Sequence, residues 1–244
     1  MIRHLPNFLT LCNLGCGTLA LALLLSGEPL HFASYLIVLA AIFDLADGWV
    51  ARKLNASSPI GKDLDSLSDL VSFGVVPALL VYQMVAMVDL GLFHEAAWLR
   101  FIPLLIAPLS ALRLARFNHD TRQTTDFIGL PTPAHALFWI SWPLILHESA
   151  NYDLLAGVWS LPVSQESFTI FMVVLPALLN SGLHLFSLKF KTGGIAANKD
   201  RVVFLALAAA LVIVCGLLAG MIWLSLPLII LLYLVYSVIT QYLL

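Results

Sequence analysis

Apolar residues run through this chain in long blocks, and Gly, Pro, Asn or clustered charges punctuate them. The blocks are about 20 residues long, the length a helix needs to cross a bilayer, whereas a membrane strand needs only about 9–11. The pattern predicts about eight helical spans, near residues 6–26, 32–53, 66–88, 98–117, 132–147, 168–188, 202–222 and 225–243. Only the Leu224–Ser225–Leu226–Pro227 region separates the last two. The expected fold is all-α, a polytopic transmembrane helix bundle forming one domain over 1–244.

Composition agrees with this picture. Of 244 residues, 61% are hydrophobic and 11% charged, and mean hydropathy is +0.96. A soluble domain carries roughly 25% charged residues, so a water-soluble fold could not hide this much apolar surface. In lipid every backbone polar group must be satisfied within the chain, which leaves helical bundles or closed barrels, and the block length selects helices. The net charge of −2 adds little, and nucleic acid is not an expected partner. Cys12, Cys16 and Cys215 lie in apolar runs and read as small packing residues, although Cys12 and Cys16 have i,i+4 spacing. The apolar run after Arg3 lacks a clear small-residue cleavage site and is long enough to span, so it reads as the first helix.

Basic residues set an expected orientation. Arg3, then Arg52, Lys53 and Lys62, then Arg113, Arg116 and Arg122, then Lys189, Lys191, Lys199 and Arg201 all fall on one side if the spans alternate. The opposite side carries Glu28, Asp89, Glu95, Glu148, Asp153 and Glu166, with Arg100 the basic exception. Both termini and the 52–66 loop are therefore expected to be cytoplasmic. On the other side, the 148–167 loop contains Asn151, Tyr152, Trp159 and Pro162, a composition suited to an interfacial helix.

One segment departs from the apolar pattern in a way that implies chemistry. Asp44 and Asp47 stand three apart near the cytoplasmic end of the second span, and Asp65 and Asp69 four apart at the start of the third. On helices each pair shares a face. With a loop of about a dozen residues between them, the two helices become antiparallel neighbours and the pairs can meet. Ionisable groups in spanning helices are costly and usually functional, and four carboxylates together require a neutralising cation. An all-oxygen donor set without His or Cys favours Mg²⁺ or Mn²⁺. Two such ions would polarise a phosphoryl oxygen and stabilise a leaving phosphate. Gly48 permits close approach of a ligand to the backbone, Ala51 keeps the face small, and Arg52 offers a planar fork to phosphate oxygens. Ser58 is a further hydrogen-bonding candidate, and its neighbour Ser57 is another. Asp63 lies off the acidic face and reads as a solvated charge.

The spacing of Asp44, Asp47, Gly48, Ala51, Arg52, Gly61, Asp65 and Asp69 matches the pattern Asp-x2-Asp-Gly-x2-Ala-Arg-x8-Gly-x3-Asp-x3-Asp at every position. In this the chain resembles the CDP-alcohol phosphotransferases. The resemblance implies transfer of a phosphatidyl group from a CDP-linked lipid to an alcohol, with CMP leaving. It also implies that Asp44, Asp47, Asp65 and Asp69 bind metal, and that Asp69 is in addition the general base. Gly48, Arg52 and Ser58 would contact the CDP donor. Pro6-Asn7-Phe8-Leu9-Thr10 is similar to the family's Pro-Asn-x-x-Thr element and would set Asn7 and Thr10 beside the donor diphosphate. Asn7 also reads as the N-cap of the first span.

Further stretches resemble the bacterial and archaeal phosphatidylserine synthases. These are Leu67 to Ala78, Ala111-Leu-Arg113-Leu-Ala-Arg116-Phe-Asn118 with Gly129-Leu-Pro131, and, with departures, Asn180 to Lys189. They imply CDP-diacylglycerol and L-serine as substrates, a homodimer, and a cell (inner) membrane location with the active site on the cytoplasmic side. The expected division is a catalytic core over about 1–190 and two extra helices over about 202–243. Arg113 and Arg116, three apart on one helix, are candidates for the acceptor carboxylate or a donor phosphate, and Asn118 for a polar acceptor. Each also reads as a boundary anchor or helix end. His119, His135 and His184 read as bystanders. The same chemistry on inositol, glycerol phosphate or ethanolamine is the near alternative. An ion-coupled transporter is the distant one, because no repeat or broken midplane helix supports it.

Overall fold

The computed structural model describes residues 4–56, 58–87, 97–119, 127–149, 165–186, 198–218 and 220–242. The chain folds into α1 (Leu5–Leu25), α2 (Leu30–Lys53) and α3 (Pro59–Met87), followed by α4 (Trp98–His119). Next come β1 (Phe127–Ile128), α5 (Thr132–Ser149), α6 (Gln165–Leu179) and β2 (His184–Leu185). Two helices end the fold, α7 (Lys199–Leu217) and α8 (Ser225–Tyr242). Helices stand at all eight of the expected places. Six of them, α1 to α4 with α7 and α8, are long and apolar enough to cross a membrane.

The other two differ for physical reasons. In α5 every residue from Phe138 to Ile145 is buried, so the helix is wrapped by its neighbours on all sides. The apolar part of α6, Phe168–Leu179, is shorter than a span. The 148–167 loop lies almost wholly outside the described residues, as do Ser57, Arg122, Lys189 and Lys191.

The distribution of side chains is that of a protein dissolved in lipid. On α2, Leu45 is 73% exposed and Trp49 56%, while Asp47 is 5% exposed. Lipid tails provide little hydrophobic drive between helices, so association depends on close packing, which small residues permit. The buried residues of α1 and α2, which pack along each other, include Gly17, Ala20, Ala33, Ser34, Ala40 and Ala41.

Two boundaries depart from the sequence expectation, and both bear on the site. Only residues 54–58 connect α2 to α3, in place of a loop of about a dozen. Pro59 sits in the first turn of α3, and Ser58 caps it by accepting a hydrogen bond from the Gly61 amide at 3.0 Å. The turns from Pro59 to Asp69 are polar, which hides them from a search for apolar runs, yet they are helical. Asn7 is not an N-cap. The helix begins at Leu5, His4 holds the cap position, and Asn7 lies inside the first turn.

The short strands pair antiparallel, with Phe127 opposite Leu185 and Ile128 opposite His184. Next to them Gly129 has a φ of +76°, and a Cβ there would strike the Leu179 carbonyl. The amides of Gly129 and Leu130 donate to the carbonyls of Leu183 and Leu178, each at 2.9 Å. Asn180 donates from Nδ2 to the Leu109 carbonyl at 2.8 Å. The Gly-Leu-Pro and Asn180 stretches thus tie α4, α5 and α6 together.

Candidate active site

Three helices carry the site. The neighbouring helices α2 and α3 bring Asp44, Asp47 and Asp65 together, so that one ligand oxygen from each lies within 4.8 Å of the others. Asp69 falls outside that trio but remains an electrostatic neighbour of all three. It is only 7% exposed. The i,i+3 and i,i+4 spacing sets the members of each pair on one helix face, and the packing of α2 and α3 brings three of the four into the cluster.

The site is built for a cation. Oδ1 of Asp65 is buried and has no hydrogen-bond partner among the described residues. Carboxylates this close repel one another, and partial burial deprives them of the water that would screen the repulsion. The donor set is oxygen only, which suits a hard divalent ion that keeps open positions for phosphate. The residues present fit such an ion, with Asp44, Asp47 and Asp65 as the cluster that would hold it.

α1 supplies the second layer of contacts. Oγ1 of Thr10 lies 3.1 Å from the Pro6 carbonyl and 2.5 Å from Oδ2 of Asp47. Its single hydrogen goes to the nearer acceptor, so Thr10 orients a carboxylate. Beside these groups lies a cavity of about 460 Å³ whose lining includes Asn7, Thr10, Asp47, Gly48, Ser58 and Asp65. Gly61 makes this wall possible, because a Cβ there would stand 3.0 Å from Ser58 Oγ and 3.1 Å from Asn7 Oδ1. The Arg52 guanidinium lies beside Gly48, its Nη1 3.5 Å from where a Cβ there would stand. Of the residues expected to bind the donor, Asn7, Thr10, Gly48 and Ser58 line this cavity together with Asp47 and Asp65, and Arg52 stands beside Gly48.

The three acceptor candidates separate. Arg113 is 7% exposed and has Asp69 close enough to act on it electrostatically. Its Nη1 is 3.5 Å from Thr132 Oγ1 on α5, and its buried Nε has no partner among the described residues. Arg116, three residues on, is exposed, because α4 packs with Arg113 inward. Asn118 is occupied in a structural tie. It donates from Nδ2 to Ser66 Oγ at 2.7 Å, and its carbonyl accepts from Lys62 Nζ at 2.8 Å, which fastens the end of α4 to α3. His135 is fully buried, and its Nε2 accepts from Trp139 Nε1 at 3.2 Å.

One residue with no mark in the sequence also reaches the carboxylates. Asn13, fully buried on α1, donates from Nδ2 to Asp69 Oδ1 at 3.2 Å. It stands one turn beyond Thr10 on the same helix.

Comparison with known proteins agrees with this geometry. A profile described as CDP-alcohol phosphatidyltransferase matches residues 3–235. An archaetidylserine synthase of Methanothermobacter thermautotrophicus is 42% identical over 139 residues, covering 54% of this chain and 54% of that protein. A CDP-diacylglycerol–serine O-phosphatidyltransferase of Bacillus subtilis is 35% identical, over 74% of this chain and 98% of its own length. One of the same name from Methanocaldococcus jannaschii is 35% identical, over 64% of this chain and 68% of its own. With Asp47 and Asp65 of the signature lining one cavity and the profile covering nearly the whole sequence, the chain belongs to the CDP-alcohol phosphatidyltransferase family, whose members are divalent-metal-dependent membrane enzymes.

Proposed function

We propose that this protein transfers the phosphatidyl group of CDP-diacylglycerol to the hydroxyl of L-serine, forming phosphatidylserine and CMP. The observation that carries the reading is a cavity lined by Asp47 and Asp65 together with Asn7, Thr10, Gly48 and Ser58, beside the cluster of Asp44, Asp47 and Asp65, with a buried arginine near Asp69. The names of the relatives support serine: they divide between archaetidyl and phosphatidyl lipids but share the acceptor.

In this reading Asp44, Asp47 and Asp65, with Asp69, would hold Mg²⁺ or Mn²⁺, as two ions. Bound there, the ions would offset negative charge on the diphosphate. Arg52, Asn7 and Ser58 bind and orient the donor. Asp69 takes the proton of the serine hydroxyl as its oxygen bonds to the phosphorus that carries diacylglycerol. The bond from that phosphorus to the CMP oxygen breaks, and CMP leaves with the electron pair. Arg113 binds the serine carboxylate. Arg116 and Asn118 line the approach from the end of α4.

The core over about 1–190 performs this chemistry, and the helices over about 202–243 pack against it. The protein works as a homodimer in the cell membrane with both termini and the site facing the cytoplasm. Trp49, exposed to lipid near the site, with the Lys53 ammonium 4.6 Å from its ring centroid, supports a site at the interface, where Trp and Lys anchor helices.

Membranes containing the protein, given CDP-diacylglycerol, Mn²⁺ and labelled serine, are expected to release CMP and label phosphatidylserine. Release of CMP with inositol, glycerol phosphate or ethanolamine but not with serine would reassign the acceptor. Transport of a solute without CMP release would remove the family chemistry altogether.

A further inference from the structure

The carboxylate of Asp69 has two oxygens, and the fold treats them differently. Oδ1 accepts from Asn13 Nδ2 at 3.2 Å, in a place where both residues are buried. A carboxylate only accepts, so the amide nitrogen must face it and the amide oxygen must point away. That oxygen, Oδ1 of Asn13, is buried with no partner among the described residues. A buried amide left half satisfied is costly, which argues that the residue is there for the contact with Asp69 and not for packing.

The backbone around this contact is specialised. Immediately after Asp69, α3 widens into a π-helical segment, Leu70–Val75, before resuming as α-helix. Such insertions are rare and concentrate at functional sites. Here the widening turns Ser72 toward α1, where its hydroxyl donates to the Asn13 carbonyl at 3.1 Å. Gly17, one turn further along α1, faces the same serine, and a Cβ at Gly17 would overlap Ser72 Oγ. The close approach of α1 to α3 at Gly17, the Ser72 hydroxyl and the Asn13 amide form one continuous support that ends on a single oxygen of Asp69.

We propose that Asn13 is a positioning residue for the transfer step: it holds Oδ1 of Asp69, so that Oδ2 is the oxygen presented to the acceptor hydroxyl, and Ser72 seats Asn13. The proposal builds on the reading of Asp69 as the base. Asn13 acts through Asp69, and neither the donor cavity nor the trio Asp44, Asp47 and Asp65 depends on it.

The test uses the full chain in detergent with CDP-diacylglycerol, serine and Mn²⁺, and compares Asn13→Ala, Ser72→Ala and Asp69→Asn. A group misplaced by about 1 Å costs on the order of 100-fold in rate. Asn13→Ala is accordingly expected to lower kcat about 100-fold while the KM for CDP-diacylglycerol stays within about threefold. Ser72→Ala, which loosens the seat without removing the amide, is expected to lower kcat by about tenfold with the same unchanged donor KM. A kcat within threefold of the parent in both variants overturns the proposal. So does a loss that appears equally in donor KM and thermal stability, because that is what a packing role would give. If Asn13→Ala fails to fold, Ser72→Ala carries the decision by the same criteria. Asp69→Asn separates the two readings: normal turnover there removes the base assignment, whereas an inactive Asp69→Asn beside fully active Asn13→Ala and Ser72→Ala removes only the positioning role.

Discussion

The Thr10 hydroxyl on α1 donates to Oδ2 of Asp47 on α2, joining residues 37 apart in the chain. This bond fixes one carboxylate of the acidic trio to the helix that also lines the donor cavity. A partner of this kind sets the direction in which a ligand oxygen points, and loss of such partners typically lowers metal affinity by 10–100-fold. Thr10→Val keeps the shape and removes the hydroxyl. It is expected to raise the Mn²⁺ concentration needed for half-maximal CMP release by roughly tenfold, with a smaller change at saturating metal. A metal titration of CMP release checks this.

Because Asp44, Asp47 and Asp65 repel one another, the metal should stabilise the fold as well as serve the reaction. A ligand at about 100 times its dissociation constant adds about 2.7 kcal/mol to stability. Chelation with EDTA is expected to lower the thermal unfolding temperature, and Mn²⁺ to restore it. Asp65→Asn removes one repelling charge, whose Oδ1 has no hydrogen-bond partner among the described residues. Its unfolding temperature in EDTA is expected to match or exceed that of the parent, with CMP release abolished. Unfolding curves of both proteins with and without metal decide the matter.

Gly61 is a test of the donor cavity. A methyl group there presses on Ser58 Oγ and Asn7 Oδ1 together. Displacing two wall residues should weaken donor binding more than catalysis. Gly61→Ala is expected to raise the KM for CDP-diacylglycerol about fivefold to twentyfold, the effect of about 1–2 kcal/mol of lost binding. Its kcat should change less. Initial rates over a range of donor concentrations measure both.

Arg113 and Arg116 give opposite expectations despite their similar place in the sequence. Arg113 is buried near Asp69, and its planar guanidinium suits a carboxylate better than an ammonium does. Arg113→Lys is expected to raise the serine KM at least about tenfold, corresponding to about 1.4 kcal/mol, with little change in the donor KM. Arg116→Ala, at an exposed position, should have the smaller effect. Serine titrations of the two variants side by side are the check.

Much of this was legible because helices convert spacing into position. Intervals of three and four placed Asp44 with Asp47 and Asp65 with Asp69, and the folded chain brings Asp44, Asp47 and Asp65 together with Asp69 as their electrostatic neighbour. Hydropathy could not see the beginning of α3, because Pro59 to Asp69 is helical but polar, and span reading depends on apolar runs. Periodicity likewise could not separate Arg113 from Arg116, since three residues on a helix turn through most but not all of a circle. Asn13 was hidden for a different reason. It belongs to no interval with the aspartates, and only the packing of α1 on α3 brings it to Asp69.

The length of α3 has a consequence for where lipid and water meet. Its 29 residues extend roughly 43 Å at 1.5 Å per residue, while the hydrocarbon layer is about 30 Å thick. The surplus is the polar stretch that begins at Pro59 and carries Asp65 and Asp69. With the apolar part of α3 in the hydrocarbon layer, this stretch would stand above it like a mast, and a lipid donor could keep its tails where they already lie and raise only its nucleotide to the working height.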